Sequence, residues 1–358
     1  MLTPGPTRIP DRVLAAGARS LHHRTPEFSR VLVETLEGLR PLFGTRGEIL
    51  PLHCTGRGGM EAAVANLFSA GDQFAACCNG RFGELWGNLA GAYGLRVYSI
   101  AEDWGASVDP EEVDRALVAH PGIRAVGMTY GDTSTGVLND VAAVGAICRK
   151  RGVLLLVDCV SSLGGAEFRF DEWGADVAVV ASQKCLMSAP GLSFAAVSDR
   201  AKAASGRSTL PRMYFDFQAI RASLGRTIPE PPGTPPVQVF LQVHEALRMI
   251  QEEGVNAFQA RHERMGRICR DRAREIGLRL QFPALERFSP TLTCFTLPAG
   301  ADPAVVRGRL RERGILTARG LGKFEATGFR IGHMGDIRPD EVSRAMDAVA
   351  EVLVQPVP

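Results

Sequence analysis

The sequence predicts an α/β fold: a mostly parallel sheet sandwiched by helices, followed by a smaller C-terminal α+β domain. Three observations predict it. Short apolar runs alternate with helical patterns through the first half of the chain. Those runs are apolar at nearly every position, as strands covered on both faces must be. Beyond Gly254 the pattern changes to strands flanking a single helix.

In chain order, strands are expected at residues 75–78, 96–100, 125–129, 153–157 and 177–181. Helical patterns fill 109–120 and 141–151 between them. In such a sheet ligands bind at the carboxyl ends of the strands. Residues 227–236 (TIPEPPGTPP) hold five prolines in ten positions and cannot form regular structure. A long helix is expected over 237–253, closed by Gly254, and another over 256–276. Strands at 292–297 and 327–332 then flank a helix at 303–313.

Composition narrows the function. The 358 residues are 45% hydrophobic and 22% charged, with 41 basic and 39 acidic side chains and a net charge of +2. That balance lacks the basic field of a nucleic-acid or membrane-surface binder, and no stretch approaches the ~18 apolar residues of a membrane span. At roughly 150 residues per domain, two domains are expected. The opening MLTPGPTRIPDRV carries three prolines where a signal peptide needs an apolar segment, so the expected location is cytoplasmic. The eight cysteines show no paired zinc spacing, so no metal is expected, and they read as reduced small hydrophobes.

Five segments carry candidate chemistry. Lys184 follows the strand at 177–181, where desolvation would favour the neutral amine that a Schiff base needs; a surface lysine at a strand end is the simpler alternative. Asp158 closes the run 153–157. A carboxylate there needs a partner, which a pyridinium N–H would supply, although aspartate also serves as a helix N-cap. Residues 55–62 (TGRGGMEA) form a Gly-rich turn opening a helix, a natural anion site. Its spacing matches neither the dinucleotide fingerprint nor a P-loop. Phe82, after the strand at 75–78, suits either ring stacking or core packing. The hydroxyls of 129–136 (TYGDTSTG) follow another strand, and turn chemistry alone would account for them.

Taken together in order, these segments resemble the class V aminotransferases among the fold type I pyridoxal-phosphate enzymes, in particular the alanine–glyoxylate and serine–pyruvate group. The resemblance runs through nearly the whole chain. It includes residues 3–7 (TPGPT), 23–28 (HRTPEF), 132–136 (DTSTG), Val157-Asp158 with Ser161-Ser162, Gly164-Gly165, Ser182-Gln183-Lys184, 189–191 (APG) and 329–335 (FRIGHMG).

The resemblance implies that pyridoxal 5′-phosphate is bound as a Schiff base on Lys184, with Asp158 on the pyridinium nitrogen. Phe82 would stack on the ring, with Val160 on its other face and Thr133 on its hydroxyl. Arg57, Gly58 and Gln183 would hold the phosphate, joined by Thr234 from the second subunit of a homodimer. Arg330 would clamp the substrate carboxylate, and Gly5 would lie near the substrate. The implied organisation is an N-terminal segment (1–15) at the substrate entrance, a large cofactor-binding domain (16–245), and a long helix with a small domain (246–358). The implied reaction moves an amino group from a small amino acid, alanine or serine, to glyoxylate or pyruvate. Lys184 would perform both the amine exchange and the proton transfer.

Three positions depart from the family pattern. Tyr130 stands where histidine is common. Arg57 occupies a phosphate loop that is often smaller and uncharged, a feature similar to the ureidoglycine–glyoxylate branch. Pro231 replaces a tyrosine three residues before Thr234. These open the substrate to a ureidoglycine–glyoxylate or aspartate aminotransferase. A desulfurase or other lyase of the same fold would need a mobile late cysteine, and the last cysteine, Cys294, sits in an apolar run. A non-enzymatic binding module would need loss of Lys184 or Asp158.

Overall fold

The structure is a computed structural model that describes residues 1–285 and 287–354. Helices α1 (Asp11–Gly17) and α2 (Pro26–Phe43) precede the main sheet. Its strands are β1 (Glu48–Leu52), β2 (Gln73–Cys78), β3 (Arg96–Ala101), β4 (Ile123–Thr129), β5 (Leu154–Asp158), β6 (Val177–Ala181) and β7 (Ser193–Val197). Between them run α3 (Gly56–Leu67), α4 (Arg81–Ala92), α5 (Pro110–Ala119), α6 (Val141–Arg151) and the short α7 (Phe170–Trp173).

The strand order is β1-β7-β6-β5-β4-β2-β3. The pairs from β3 through β6 are parallel, while β7 is antiparallel to both β6 and β1. The sheet is therefore mostly parallel and lies between helices. Alternate residues of each strand feed two separate apolar layers: Val126, Leu155, Val157 and Ala178 on one side, Ala125, Leu154, Leu156 and Val177 on the other. That double burial is why the strands read as unbroken apolar runs.

Two strands of this sheet were not expected from sequence, β1 and β7. Both belong to the antiparallel side of the sheet, and Pro51 is accommodated because β1 is an edge strand. The strand expected at 96–100 exists, but as the opposite edge, with Val97 exposed rather than buried. The helix ends follow local chemistry. Asp109 and Asp140 cap α5 and α6 through Glu111 N–H and Ala143 N–H, and Gly152 ends α6 at φ 71°.

After α8 (Asp199–Ser205) and α9 (Phe217–Leu224), residues 227–236 form no helix or strand, and α10 (Val237–Glu253) and α11 (Val255–Glu275) follow. A second sheet, β10-β11-β9-β8, is antiparallel throughout: β8 (Arg279–Leu280), β9 (Leu292–Thr296), β10 (Ala318–Arg319) and β11 (Gly328–Gly332). It shares its core with α11, α12 (Pro303–Glu312) and α13 (Pro339–Val354). Residues 286 and 355–358 of the expected C-terminal unit lie outside the described residues. No helix among the described residues is long and apolar enough to cross a membrane.

Candidate active site

The parallel strands β2, β4, β5 and β6 end on one edge, and the loops leaving them surround a cavity of about 280 Å³. Its walls bring together Arg57, Phe82, Thr133, Asp158, Val160, Gln183 and Lys184, with Thr55, Gly56 and Ser161 beside them.

Asp158, the last residue of β5, is buried. Its Oδ1 accepts the Val160 N–H at 2.8 Å, and no described residue engages Oδ2. No helix follows it, so the N-cap alternative falls away: the residue closes a turn beside the cavity. Burial pushes its carboxyl up to about 7; the Val160 N–H pulls it down, nearby Asp132 adds to the rise, and Lys184 opposes it.

Lys184 lies in the turn after β6 and is no free surface lysine. Its Nζ donates to the Pro4 carbonyl, and its own carbonyl accepts from the Thr7 hydroxyl at 3.0 Å and the Met187 N–H at 3.0 Å. Burial lowers the ammonium to about 8, helped by the Arg330 charge and opposed by Asp158. A larger fraction of neutral amine near neutral pH follows. The N-terminal segment reaches the lysine because Gly5 adopts φ 108°, and a Cβ there would stand 2.5 Å from Lys184 Cδ.

Phe82 sits in the first turn of α4, whose N-cap residue, Gly80, has no side chain to receive its N–H groups. Asp132, from the turn after β4, does so instead. Its Oδ2 accepts the Phe82 N–H at 3.0 Å, while its Oδ1 accepts the Ser134 N–H at 2.7 Å and the Ser134 hydroxyl. Ser134 Oγ in turn accepts the Arg81 N–H at 3.1 Å. Sequence reasoning placed hydroxyls here and missed this buried carboxylate. The signal was available: an uncapped glycine helix start requires an acceptor from elsewhere.

The N-terminus of α3 opens on the cavity through Thr55, Gly56 and Arg57, and the Thr55 side chain caps nothing. Gly58 follows in the same first turn but is not among the cavity walls, and a Cβ on it would stand 2.7 Å from Cys54 Cβ. The Gln183 side chain lines the cavity with its buried Oε1 unpartnered. Thr234 is exposed and lies outside the cavity walls.

Arg330 on β11 is buried just outside the cavity rather than on the surface. Its Nε donates to the Arg319 carbonyl at 2.8 Å and its Nη1 to the Thr133 carbonyl at 2.7 Å. Asp336, six residues on, makes no pair with it and sits instead beside Arg338 at 2.9 Å. Tyr130 is buried away from the cavity and donates to the Glu167 carbonyl at 2.6 Å. Cys294 lies inside β9, with its thiol pushed up to about 12 by burial. Among the described residues no three His, Cys, Asp or Glu side chains converge as a metal site.

The aminotransferase class-V family model matches residues 10–326. A protein of Synechococcus sp. named soluble hydrogenase, small subunit, is 36% identical over 99% of this chain and 93% of its own length. The L-aspartate–glyoxylate aminotransferase of Paracoccus denitrificans is 34% identical over 98% of this chain and 90% of its own. The crystal structure of an alanine–glyoxylate aminotransferase from Nostoc sp. superposes with a TM-score of 0.93 at 33% identity, covering 98% of this chain and 94% of that one.

Proposed function

The chain belongs to the class V aminotransferases, pyridoxal-phosphate enzymes, and on that premise we propose that the cavity beside Lys184 holds the cofactor and carries the amino-group transfer. One observation supports this above the others. An amine of lowered basicity, a buried carboxylate with one free oxygen, an aromatic ring, an unpaired amide and a helix N-terminus all border one hollow of about 280 Å³.

The residues suit the group. Gln183 and the N-terminus of α3, with Arg57 and the neighbouring Gly58, would hold the phosphate. Thr133 would meet the ring hydroxyl, with Phe82 and Val160 against the ring. Asp158 Oδ2 would accept the ring N–H. When bound, the cofactor supplies an aldehyde that links to amines and a ring that withdraws electrons.

The chain's own residues do the rest. Asp158 keeps the proton on the ring nitrogen. Lys184 Nζ withdraws the proton from the donor's Cα in one half-reaction and delivers one to the acceptor's Cα in the other. Arg330 orients the α-carboxylate, and the segment around Gly5 covers the lysine from solvent. The donor becomes a 2-oxo acid, and the acceptor gains its amino group.

We assign alanine or serine as donor and glyoxylate or pyruvate as acceptor. A large unit over 16–245 and a small one over 246–358, a homodimer and a cytoplasmic location belong to the same reading. Met213 and Tyr214 are 93% and 67% exposed, and neighbouring Phe215 packs beside Gly58, so an apolar surface adjoins the phosphate turn. A second copy on that surface would bring its Thr234 toward the phosphate.

The test is a half-reaction screen that follows cofactor absorbance as each amino acid is added. Conversion by alanine or serine, reversed by glyoxylate or pyruvate, is expected. Release of pyruvate and ammonia from serine without any 2-oxo acid overturns the reading in favour of a lyase.

A further inference from the structure

The antiparallel sheet meets the loop after β3 through two glycines and three aromatic side chains. They lie beside a hollow of about 640 Å³ that shares Arg57 and Phe82 with the cavity at Lys184. Trp104, half-buried in that loop, lies against Gly322 in the strap that runs from β10 to β11. Gly322 has φ 56°, and a Cβ there would stand 2.5 Å from Trp104 Cη2. The relation is returned on the other side. Phe282, between β8 and β9, lies against Gly105, which follows Trp104 and has φ 94°; a Cβ on that glycine would collide with the ring. Phe324 of the strap sits beside both rings, its centroid 6.1 Å from that of Trp104 and 5.1 Å from that of Phe282. The Lys323 ammonium faces the Trp104 and Phe324 rings at 5.4 and 5.5 Å. Each side thus yields a glycine to the other's ring, so strap and loop approach at backbone distance.

Both sides lead back to the candidate site. The loop is tied to the end of β2: the Gly105 N–H donates to the Asn79 carbonyl at 3.2 Å, and Asn79 Nδ2 to the Ala106 carbonyl at 2.8 Å. The Trp104 Nε1–H donates to Glu84 at 2.8 Å, on the helix that carries Phe82. The strap leaves from Arg319, whose carbonyl receives Arg330 Nε at 2.8 Å and whose side chain pairs with Glu325 farther along the strap. Arg330 Nη1 closes the circuit on Thr133, next to the Asp132 that receives the Phe82 N–H. The ladder alone is thin support for the Arg319 carbonyl, because β10 contributes only Ala318 and Arg319, at the edge of its sheet.

Resting on the reading of Arg330 given above, we propose that Trp104 is a positioning residue for the amino-group transfer. By seating the strap it holds the Arg319 carbonyl where Arg330 Nε meets it, and so fixes the plane in which the guanidinium takes the α-carboxylate. A guanidinium tied at Nε and Nη1 keeps its plane; one tied at Nη1 alone turns about that bond, and the two-pronged fit to a carboxylate is lost.

The test uses the holoenzyme with Trp104→Ala and, should that chain fold poorly, Gly322→Ala, which drives a methyl into the indole and leaves Trp104 in place. Either variant should lower kcat/KM for alanine about five- to twentyfold, the effect of loosening one of two bonds from a charged group. Ethylamine, which is alanine without its carboxylate, should react slowly and at one rate in all of them. Trp104→Tyr, a ring of similar reach, should recover most of the loss. In an Arg330→Lys background either change should cost little more, because the group it positions is already gone. Calorimetry gives a readout free of turnover: propionate, a carboxylate without an amino group, should bind the variants more weakly than the wild type by a similar factor.

Unchanged alanine kinetics in both variants would mean that the ladder holds Arg330 unaided, and would overturn the proposal. Equal losses with alanine and ethylamine overturn it too, since they mark a general support of the fold, as do losses that multiply with that of Arg330→Lys. If Arg330→Lys itself leaves alanine conversion unchanged, the reading of that arginine has failed and takes this proposal with it.

Discussion

The Arg330 guanidinium, carried by the small antiparallel sheet, donates from Nη1 to the backbone oxygen of Thr133, in the loop after β4, at 2.7 Å. The contact joins the two sheets at the candidate site. It leaves Nη2 unengaged by any described residue, so a planar edge remains for a carboxylate. Thr133 follows Asp132 directly, so Arg330 and the Phe82 end of α4 both hang from one turn.

Arg330→Lys should therefore damage both half-reactions together. Lysine keeps the charge but cannot hold two carbonyls and a two-pronged carboxylate, at a cost of about 2–4 kcal/mol in each half. Stopped-flow kinetics with alanine and then glyoxylate measure it. Unchanged rates would place the carboxylate elsewhere.

Lys184→Ala should keep its fold and lose the cofactor adduct that borohydride fixes. Peptide mass mapping locates any adduct. One found on Lys150 or Lys202 would refute the assignment.

Asp158 makes a pH prediction. Folding raises this carboxyl to about 7, from an ordinary value near ~4. Between those limits the folded chain keeps a proton that the unfolded chain has released, so stability of the cofactor-free protein falls as pH rises through the window. Asp158→Asn should flatten that slope, read from denaturation midpoints across the range. In the loaded enzyme, Asp158→Ala should slow proton transfer by more than tenfold, or ~1.4 kcal/mol. A smaller loss would make the residue a structural carboxylate.

Asp132→Ala strips the acceptor from the first turn of α4 and from Ser134. Leaving those buried N–H groups unanswered should cost about 1–3 kcal/mol. The variant should also bind cofactor less tightly, because Phe82 loses its anchor. Thermal melts and cofactor titration check the two effects, and a variant as stable as wild type would remove Asp132 from the design.

Gly5→Ala drives a methyl into Lys184 at a backbone angle that side chains rarely adopt. Activity should drop at least tenfold while the melting temperature moves little, since the strain can be relieved by displacing an N-terminal segment. Full activity would mean that the segment lies elsewhere in the working enzyme.

Much of this was legible in the sequence wherever one physical signal dominated. Strands β4, β5 and β6 announce themselves because both faces are buried, and α5 and α6 because their caps are local. Lys184 and Asp158 were readable as polar residues that end apolar strands. β1 was missed because its Glu48 and Pro51 look like a loop until β7 is seen beside it. β7 carried an unused clue: residues 182–192 contain no helix, so the return from β6 had to be antiparallel. The Asp132 network and the Arg330–Thr133 contact join residues far apart in the chain, and no local pattern encodes them.

Leu52 pairs with Ser193, and α3 begins only four residues after Leu52. The helix start that opens on the cavity is thus anchored by a strand whose neighbour follows 145 residues later, just beyond Lys184. During synthesis the early half of the site must wait for the late half, because β1 has no other strand to lean on. Ribosome-bound chains that stop short of β7 should therefore expose α3 to protease, and protection should arrive in one step once Val197 has emerged.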